Sequence, residues 1–284
     1  LLSHRVDEAF LERHPSLEIV SNYAVGYNNI DVEAATRRGV VVTNTPDVLT
    51  ETTADLAWAL LMATARRLVD ADAFTRAGKF KGWAPSLYLG HDIWGKTLGV
   101  VGFGRIGQAA ARRAQGFGMK VLYHDPSVEI STLEGGLQVE PVSLERLLGE
   151  SDFVTIHCPL LPATRHLIGA QELTSMKPSA ILINTARGPI VDEKALVSAL
   201  QEGRLAGAGL DVYEREPQIE PGLLELSQVV LAPHIGSGSE ETRAKMAHMA
   251  VDAVIDLLSG KRPRHLVNPE AWEAWEAREA RGSS

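Results

Sequence analysis

The chain is 284 residues long, enough for one large domain or two of ordinary size; with 45% hydrophobic and 23% charged residues it can bury a core, and disorder is disfavoured. A formal net charge of -8 and a pI of about 5.6 exclude the basic footprint of a nucleic-acid binder or a polybasic membrane-surface protein. The single cysteine, Cys158, cannot form an internal disulfide, which fits a reducing cytoplasm.

The opening residues from Leu1 to Glu8 are too charged for a signal peptide, and without an initiator Met the chain reads as a fragment. Val20–Val25 and Val40–Thr43 are predicted strands, joined by a small helix, Val32–Arg38, that ends at Gly39. Thr50–Gly78 reads as a long helical region. There Ala54, Ala57, Leu61, Ala65 and Leu68 recur at helical spacing, and Glu51 and Asp55 lie in the first turns, where the helix dipole favours anions. Its most apolar stretch, Ala54–Ala65, is too short to cross a bilayer and contains Asp55. Phe80–Trp94 is an aromatic-rich, proline-containing loop.

From Thr97 the pattern alternates. Strands are predicted at Thr97–Val101, Lys120–Tyr123, Phe153–His157, Ala180–Asn184, Gly207–Asp211 and Val229–Ala232; most are continuous apolar runs, as in a parallel sheet covered on both faces. Helices fit between them at Ile106–Gln115, Ser143–Leu148, Gln171–Ser175 and Glu193–Gln201. The series predicts an α/β, doubly wound parallel sheet. A final helix, Glu240–Leu258, precedes a polar tail with Glu/Arg alternation from Glu270. There is no internal repeat and no low-complexity linker.

Gly102-Phe103-Gly104-Arg105-Ile106-Gly107 directly follows a predicted strand and opens a helix. In that context Gly102 allows the tight turn, Gly104 lets the backbone approach a pyrophosphate, and Gly107 lets the helix pack on the strand. Phosphates would sit at the helix N-terminus, where free N–H groups and the dipole favour negative charge. The next strand runs into Asp125, close to the offset of about 20 residues at which an acidic side chain takes the ribose hydroxyls. A carboxylate there would repel a 2′-phosphate, so NAD is expected over NADP. The plainer alternative is that Asp125-Pro126 starts a turn. No metal site is expected.

Three further segments end strands on the rim where ligands bind an open parallel sheet: Ile183–Pro189, Gly209–Pro217 and Ala232–Ser237. Alone, Arg187 reads equally well as a surface residue in a Gly-Pro turn, Glu216 as a solvated carboxylate, and His234 as a satisfied strand-end histidine. Together they supply a carboxylate-binding cation, an acid/base and an orienting carboxylate on one rim.

Gly-Phe-Gly-Arg-Ile-Gly, Asn-Thr-Ala-Arg-Gly, Gly-Leu-Asp-Val-Tyr-Glu-x-Glu-Pro and Pro-His-Ile-Gly-Ser, in this order, resemble the D-isomer-specific 2-hydroxyacid dehydrogenases, most of all their glycerate dehydrogenase (hydroxypyruvate/glyoxylate reductase) branch. The likeness runs from about Ile19 to Asn268. It implies a Rossmann-type NAD domain at 49–236 with a dimerisation arm at 50–94. It also implies a smaller, flavodoxin-like substrate domain formed by 1–48 and a returning C-terminal segment at 237–284. Members of the family begin several tens of residues ahead of Leu1, so the substrate domain is expected to be N-terminally truncated.

The resemblance assigns the catalytic triad to Arg187, Glu216 and His234. It places Gly102, Gly104, Arg105, Ile106, Gly107, Asp125, Cys158, Pro159, Thr164, Thr185, Ala186, Asp211, His234 and Gly236 around NAD, with Asp211 toward the nicotinamide carboxamide. N–H groups near Val25 and Gly26 would hold the substrate carboxylate beside Arg187. Trp83 would reach the neighbouring subunit's active site in a homodimer, or simply pack in the interface. The implied reaction is hydride exchange between NAD(H) and a small D-2-hydroxy or 2-oxo acid, in which His234 works as acid/base and Glu216 orients it. Two alternatives stay open: phosphite oxidation on the same scaffold, and an NADH-sensing, corepressor-like interaction protein. Formate oxidation is disfavoured, because its enzymes pair the histidine with glutamine.

Overall fold

The computed structural model describes residues 4–282; Leu1–Ser3, part of the segment read above as too charged for a leader, and Ser283–Ser284 lie outside the described residues. The chain divides into two compact units, Thr50–Gly236 and a smaller one made of Leu1–Leu49 with Ser237–Ser284.

In chain order the smaller unit begins with α1 (Glu8–Arg13), β1 (Ile19–Ser21), α2 (Val32–Arg37) and β2 (Val41–Thr43). The larger unit follows with α3 (Thr50–Ala65), α4 (Leu68–Arg76), β3 (Thr97–Val101), α5 (Arg105–Ala114), β4 (Lys120–His124), β5 (Val139–Pro141), α6 (Leu144–Glu150) and β6 (Phe153–Ile156). It continues with α7 (Ala170–Ser175), β7 (Ile181–Asn184), α8 (Glu193–Gln201), β8 (Gly207–Leu210), α9 (Pro221–Leu224) and β9 (Val229–Leu231). The chain then returns to the smaller unit as α10 (Glu240–Leu258) and α11 (Pro269–Gly282).

The larger unit is a seven-stranded, all-parallel sheet in the order β5-β4-β3-β6-β7-β8-β9. Its central strands are buried on both faces, which accounts for their continuous apolar runs. On one face α3 and α5 close a core around Ala54, Ala57, Leu61, Ala110, Ala114 and Phe153. Trp58 Nε1 donates to Ala110 O at 2.9 Å, and Arg113 pairs with Asp55, so the two helices are tied at both their buried and wet edges. The other face is packed by Leu147, Leu173, Leu196 and Leu200 of α6, α7 and α8. The strand order reverses between β3 and β6, and because every strand is parallel, all C-terminal ends lie on one edge. That edge, at that switch point, is where such sheets bind ligands.

The smaller unit pairs β1 with β2 in parallel and packs Val6, Leu11, Ile30, Ala34 and Val42 into one core. Asn268 stitches it together, accepting from Val42 N at 2.7 Å and donating to Val40 O at 3.0 Å. Among the described residues no helix is long and apolar enough to cross a membrane.

Three expectations need correction. The predicted strand Val20–Val25 stops at Ser21, because Asn22 turns the chain: its Nδ2 donates to Gly26 O, and Ala24 N donates to Asn22 O. The helical region Thr50–Gly78 breaks at Arg67, which adopts a left-handed conformation (φ 51°) between α3 and α4. The polar tail from Glu270 is helix α11, whose Ala271, Trp272 and Trp275 are buried against Val41 and Leu257. Charge alternation masked the apolar stripe, which is narrow.

Candidate functional site

The glycine-rich turn leaves β3 at the switch point. Gly102 has φ +88°, and a Cβ there would lie 2.3 Å from Cys158 N, so only glycine lets this turn abut the end of β6. A Cβ on Gly107 would meet Gly102 O at 2.2 Å, so α5 sits directly on the turn. Gly104 is the N-cap of α5 and makes no side-chain cap; no acidic residue occupies the first helical turn. The helix therefore directs its first-turn N–H groups and the positive end of its dipole at the rim. Asp125, just beyond β4, accepts from Phe103 N at 2.7 Å and from Ser127 N at 2.8 Å. It fastens the glycine turn to the neighbouring strand, a contact that motif spacing does not reveal.

Arg187, Glu216 and His234 project from the loops after β7, β8 and β9. Asn184, buried at the end of β7, accepts from Ala186 N and donates to Arg187 O, both at 3.0 Å, shaping the arginine's turn. The Arg187 guanidinium is largely buried and donates to Ala186 O at 2.6 Å; among the described residues it forms no ion pair with a carboxylate. Burial lowers its pKa, against the pull of the Glu216 charge.

Glu216 Oε2 lies 2.8 Å from His234 Nδ1, and its Oε1 accepts from Tyr213 N at 3.0 Å. Burial raises the Glu216 carboxyl, but the His234 hydrogen bond, the Tyr213 N–H and the charges of His234 and Arg187 outweigh it and hold it below the usual glutamate range. An ionised carboxylate only accepts, so Nδ1 carries the shared proton and Nε2 is left to exchange one. His234 is held at φ 55°, a strained region for a non-glycine residue. Asp211 holds it there: His234 N donates to Asp211 O, while Ile235 N and Gly236 N donate to its two carboxylate oxygens at 2.7 and 2.8 Å. Asp211 is fully buried, and burial pushes its carboxyl up despite those donors.

The remaining candidates fall in three places. Cys158 is buried after β6, its thiol pushed up to about 11 by burial. Thr164 Oγ1 donates to Pro159 O at 2.6 Å and accepts from Leu161 N, bracing the loop after β6. Thr185 Oγ1 is buried without a hydrogen-bond partner among the described residues. Arg105 and Ile106 open α5, Ala186 precedes Arg187, and Gly236 rests against Asp211. All of these share the rim of the larger unit. Val25 and Gly26 lie in the smaller unit, in a loop whose Val25 O accepts from Asn44 Nδ2. Trp83 lies in the loop after α4, its side chain 85% exposed.

Residues 58–236 match the family model for the D-isomer specific 2-hydroxyacid dehydrogenase, NAD binding domain. The chain belongs to that family. It is 54% identical over 274 residues to a glyoxylate reductase of Thermococcus gammatolerans, covering 95% of this chain and 82% of that one. Among solved structures, the TT0316 protein of Thermus thermophilus superposes with a TM-score of 0.88 at 47% identity, covering 94% of this chain and 84% of the other. An NADPH-dependent glyoxylate/hydroxypyruvate reductase of Sinorhizobium meliloti, in complex with NADP and malonate, gives 0.85 at 39% identity, covering 94% and 82%.

The dehydrogenase's rim fits a nicotinamide dinucleotide. An uncapped helix N-terminus, a glycine with open space beside it at Gly104, and the orphaned Thr185 hydroxyl face the kinds of group such a molecule offers. Asn184 and Tyr213 stand inside the motifs, but motif reading gave neither of them a role. Asn184 also carries a signal of its own, an asparagine at a strand end, where its side chain shapes turns.

Proposed function

We propose that the chain reduces glyoxylate or hydroxypyruvate, with NADH preferred over NADPH. The observation that carries this reading is the His234–Glu216 pair at 2.8 Å, with a half-buried Arg187 that has no carboxylate partner among the described residues. A partly desolvated guanidinium calls for an anion, and its planar fork suits the carboxylate of a 2-oxo acid. Val25 and Gly26 are proposed as further contacts for that carboxylate. A bound nicotinamide dinucleotide supplies the hydride that C2 receives. As the C=O π bond breaks, His234 gives the proton at Nε2 to the oxygen, and Glu216 steadies the ring through Nδ1. Thr50–Gly236 is assigned to the cofactor, and the smaller unit to substrate.

The test is His234→Ala. NADH consumption with glyoxylate should fall about 10²–10⁴-fold, the usual worth of a placed acid/base, while NADH binding by fluorescence titration persists. Unchanged turnover in the variant would remove His234. Tight NADH binding by the wild-type chain without consumption of any 2-oxo acid would favour an NADH-sensing role instead. Consumption of NAD with phosphite would redirect the substrate assignment. Trp83 and the apolar arm around it are proposed to work in a homodimer, and the setting is proposed to be a reducing cytoplasm.

A further inference from the structure

Glu216 stands on a loop, Val212–Glu220, that leaves the sheet after β8, so something must hold its carboxylate within hydrogen-bond reach of His234. Part of the answer is local: Glu216 Oε1 accepts from Tyr213 N at 3.0 Å, and the Tyr213 hydroxyl donates to Ala232 O at 2.8 Å. The rest comes from α8. Glu193, the first residue of that helix, is 4% exposed, and its Oε1 accepts from Glu214 N at 2.8 Å. Beyond Glu216 in the same loop, the Glu220 backbone N–H also favours the Glu193 charge. Just before α8, Gly188 lies so close to the loop that a Cβ would sit 1.9 Å from Tyr213 C and 2.4 Å from Glu214 N. Arg187 and Glu216 are thereby set against one another through their backbones.

A buried carboxylate facing other carboxylates is a costly way to close a loop. Burial raises the Glu193 carboxyl, and the charges of Glu214 and Glu220 add to the rise. Around it, Glu214 is itself paired with His166 at 2.8 Å and Arg165 at 3.6 Å, and Glu220 with Arg215 at 3.4 Å. An apolar side chain would fill the space without that cost but would leave the Glu214 N–H without its acceptor. Such a group persists where geometry matters more than stability.

We propose that Glu193 is a positioning residue for the proton transfer: its carboxylate holds the Val212–Glu220 loop so that Glu216 stays aimed at His234. This rests on the triad assigned above. The experiment compares Glu193→Ala, Glu193→Gln and Glu216→Gln by kcat, KM for NADH and the pH profile of reductive turnover. Glu216→Gln should move the alkaline limb of the profile to lower pH, because the charge that supports the protonated ring is gone. Glu193→Ala should lower kcat about 10- to 100-fold, as a displaced catalytic group does. It should move the limb in the same direction and leave KM for NADH alone. Glu193→Gln, which keeps one acceptor for Glu214 N, should restore most of both. If Glu216→Gln moves the limb and a folded Glu193→Ala does not, the positioning role is overturned and the triad stands. If neither moves it, the triad fails and this role with it. Should Glu193→Ala not fold, Glu193→Asp withdraws the acceptor by one methylene while keeping the charge, and an unmoved limb there is equally decisive against the proposal.

Discussion

At the scale of single residues, Asp125 has two tasks that a substitution would separate. Its oxygens accept from Phe103 N and Ser127 N, so it shapes the turn on which a pyrophosphate would rest. Its charge also stands at the end of β4, where a 2′-phosphate would be repelled. Asp125→Ala should weaken both cofactors through the loosened turn, but NADH more than NADPH, because only NADPH gains from the lost repulsion. The ratio of the two dissociation constants is therefore the informative measurement. An unaltered ratio would leave Asp125 as a turn residue alone. The same residue shows how far the site was legible. Spacing after a glycine motif marks Asp125, and strand-end position marks Arg187, Glu216 and His234, because function places charged groups where a parallel sheet opens. Asp211 was marked too, as a cofactor contact. What sequence could not disclose is that it spends both oxygens on Ile235 and Gly236 and so sustains the strained backbone of His234. Backbone N–H partners leave no trace in side-chain pattern.

At the scale of elements, the strands were the easiest to read, since a strand buried on both faces must be apolar throughout. The edge strand β5, Val139–Pro141, was missed: it is three residues long, carries Glu140, and ends in a proline. Helix α11 was missed for the opposite reason, its tryptophans hidden among charges. The start of the sheet has an electrostatic fastening that neither pattern could show. Asp152, just before β6, accepts from Thr97 N at 2.9 Å and pairs with Lys177 Nζ at 2.9 Å. Burial raises its carboxyl, yet the Thr97 N–H and the lysines outweigh that and hold it below the usual aspartate range. A depressed folded-state pKa stabilises above the unfolded-state value, and that contribution is lost as the pH falls through the folded value. Asp152→Asn should then cost about 1.5–3 kcal/mol at neutral pH, the usual worth of hydrogen bonds to a charged group. Denaturant titrations of wild type and variant should converge below the aspartate range. A difference that persists in acid would mean the loss is one of packing.

At the scale of the whole molecule, the larger unit leaves an unusual amount of apolar surface in one stretch of chain. Leu68, Val69, Phe80, Trp83, Leu89 and Trp94 are each more than half exposed, and all fall between the start of α4 and the start of β3. Scattered exposed hydrophobics are ordinary, but six within one arm are a mark of association. The formal charge of -8 opposes association at long range, so the proposed homodimer would have to be driven by apolar burial at short range. Sedimentation should then report twice the chain mass of 30.7 kDa, with association strengthened, not weakened, as salt screens the repulsion. Val69 and Leu89 line one surface recess, so Val69→Glu with Leu89→Glu would force two charges into the contact and should yield a folded monomer. Trp83 would link this to catalysis. If it acts across the dimer, Trp83→Ala should change the ratio of kcat/KM for hydroxypyruvate and glyoxylate, and the monomeric double variant should show the same changed ratio with Trp83 intact. A monomer that keeps the wild-type ratio, while Trp83→Ala loses it, would place Trp83 at its own subunit's site.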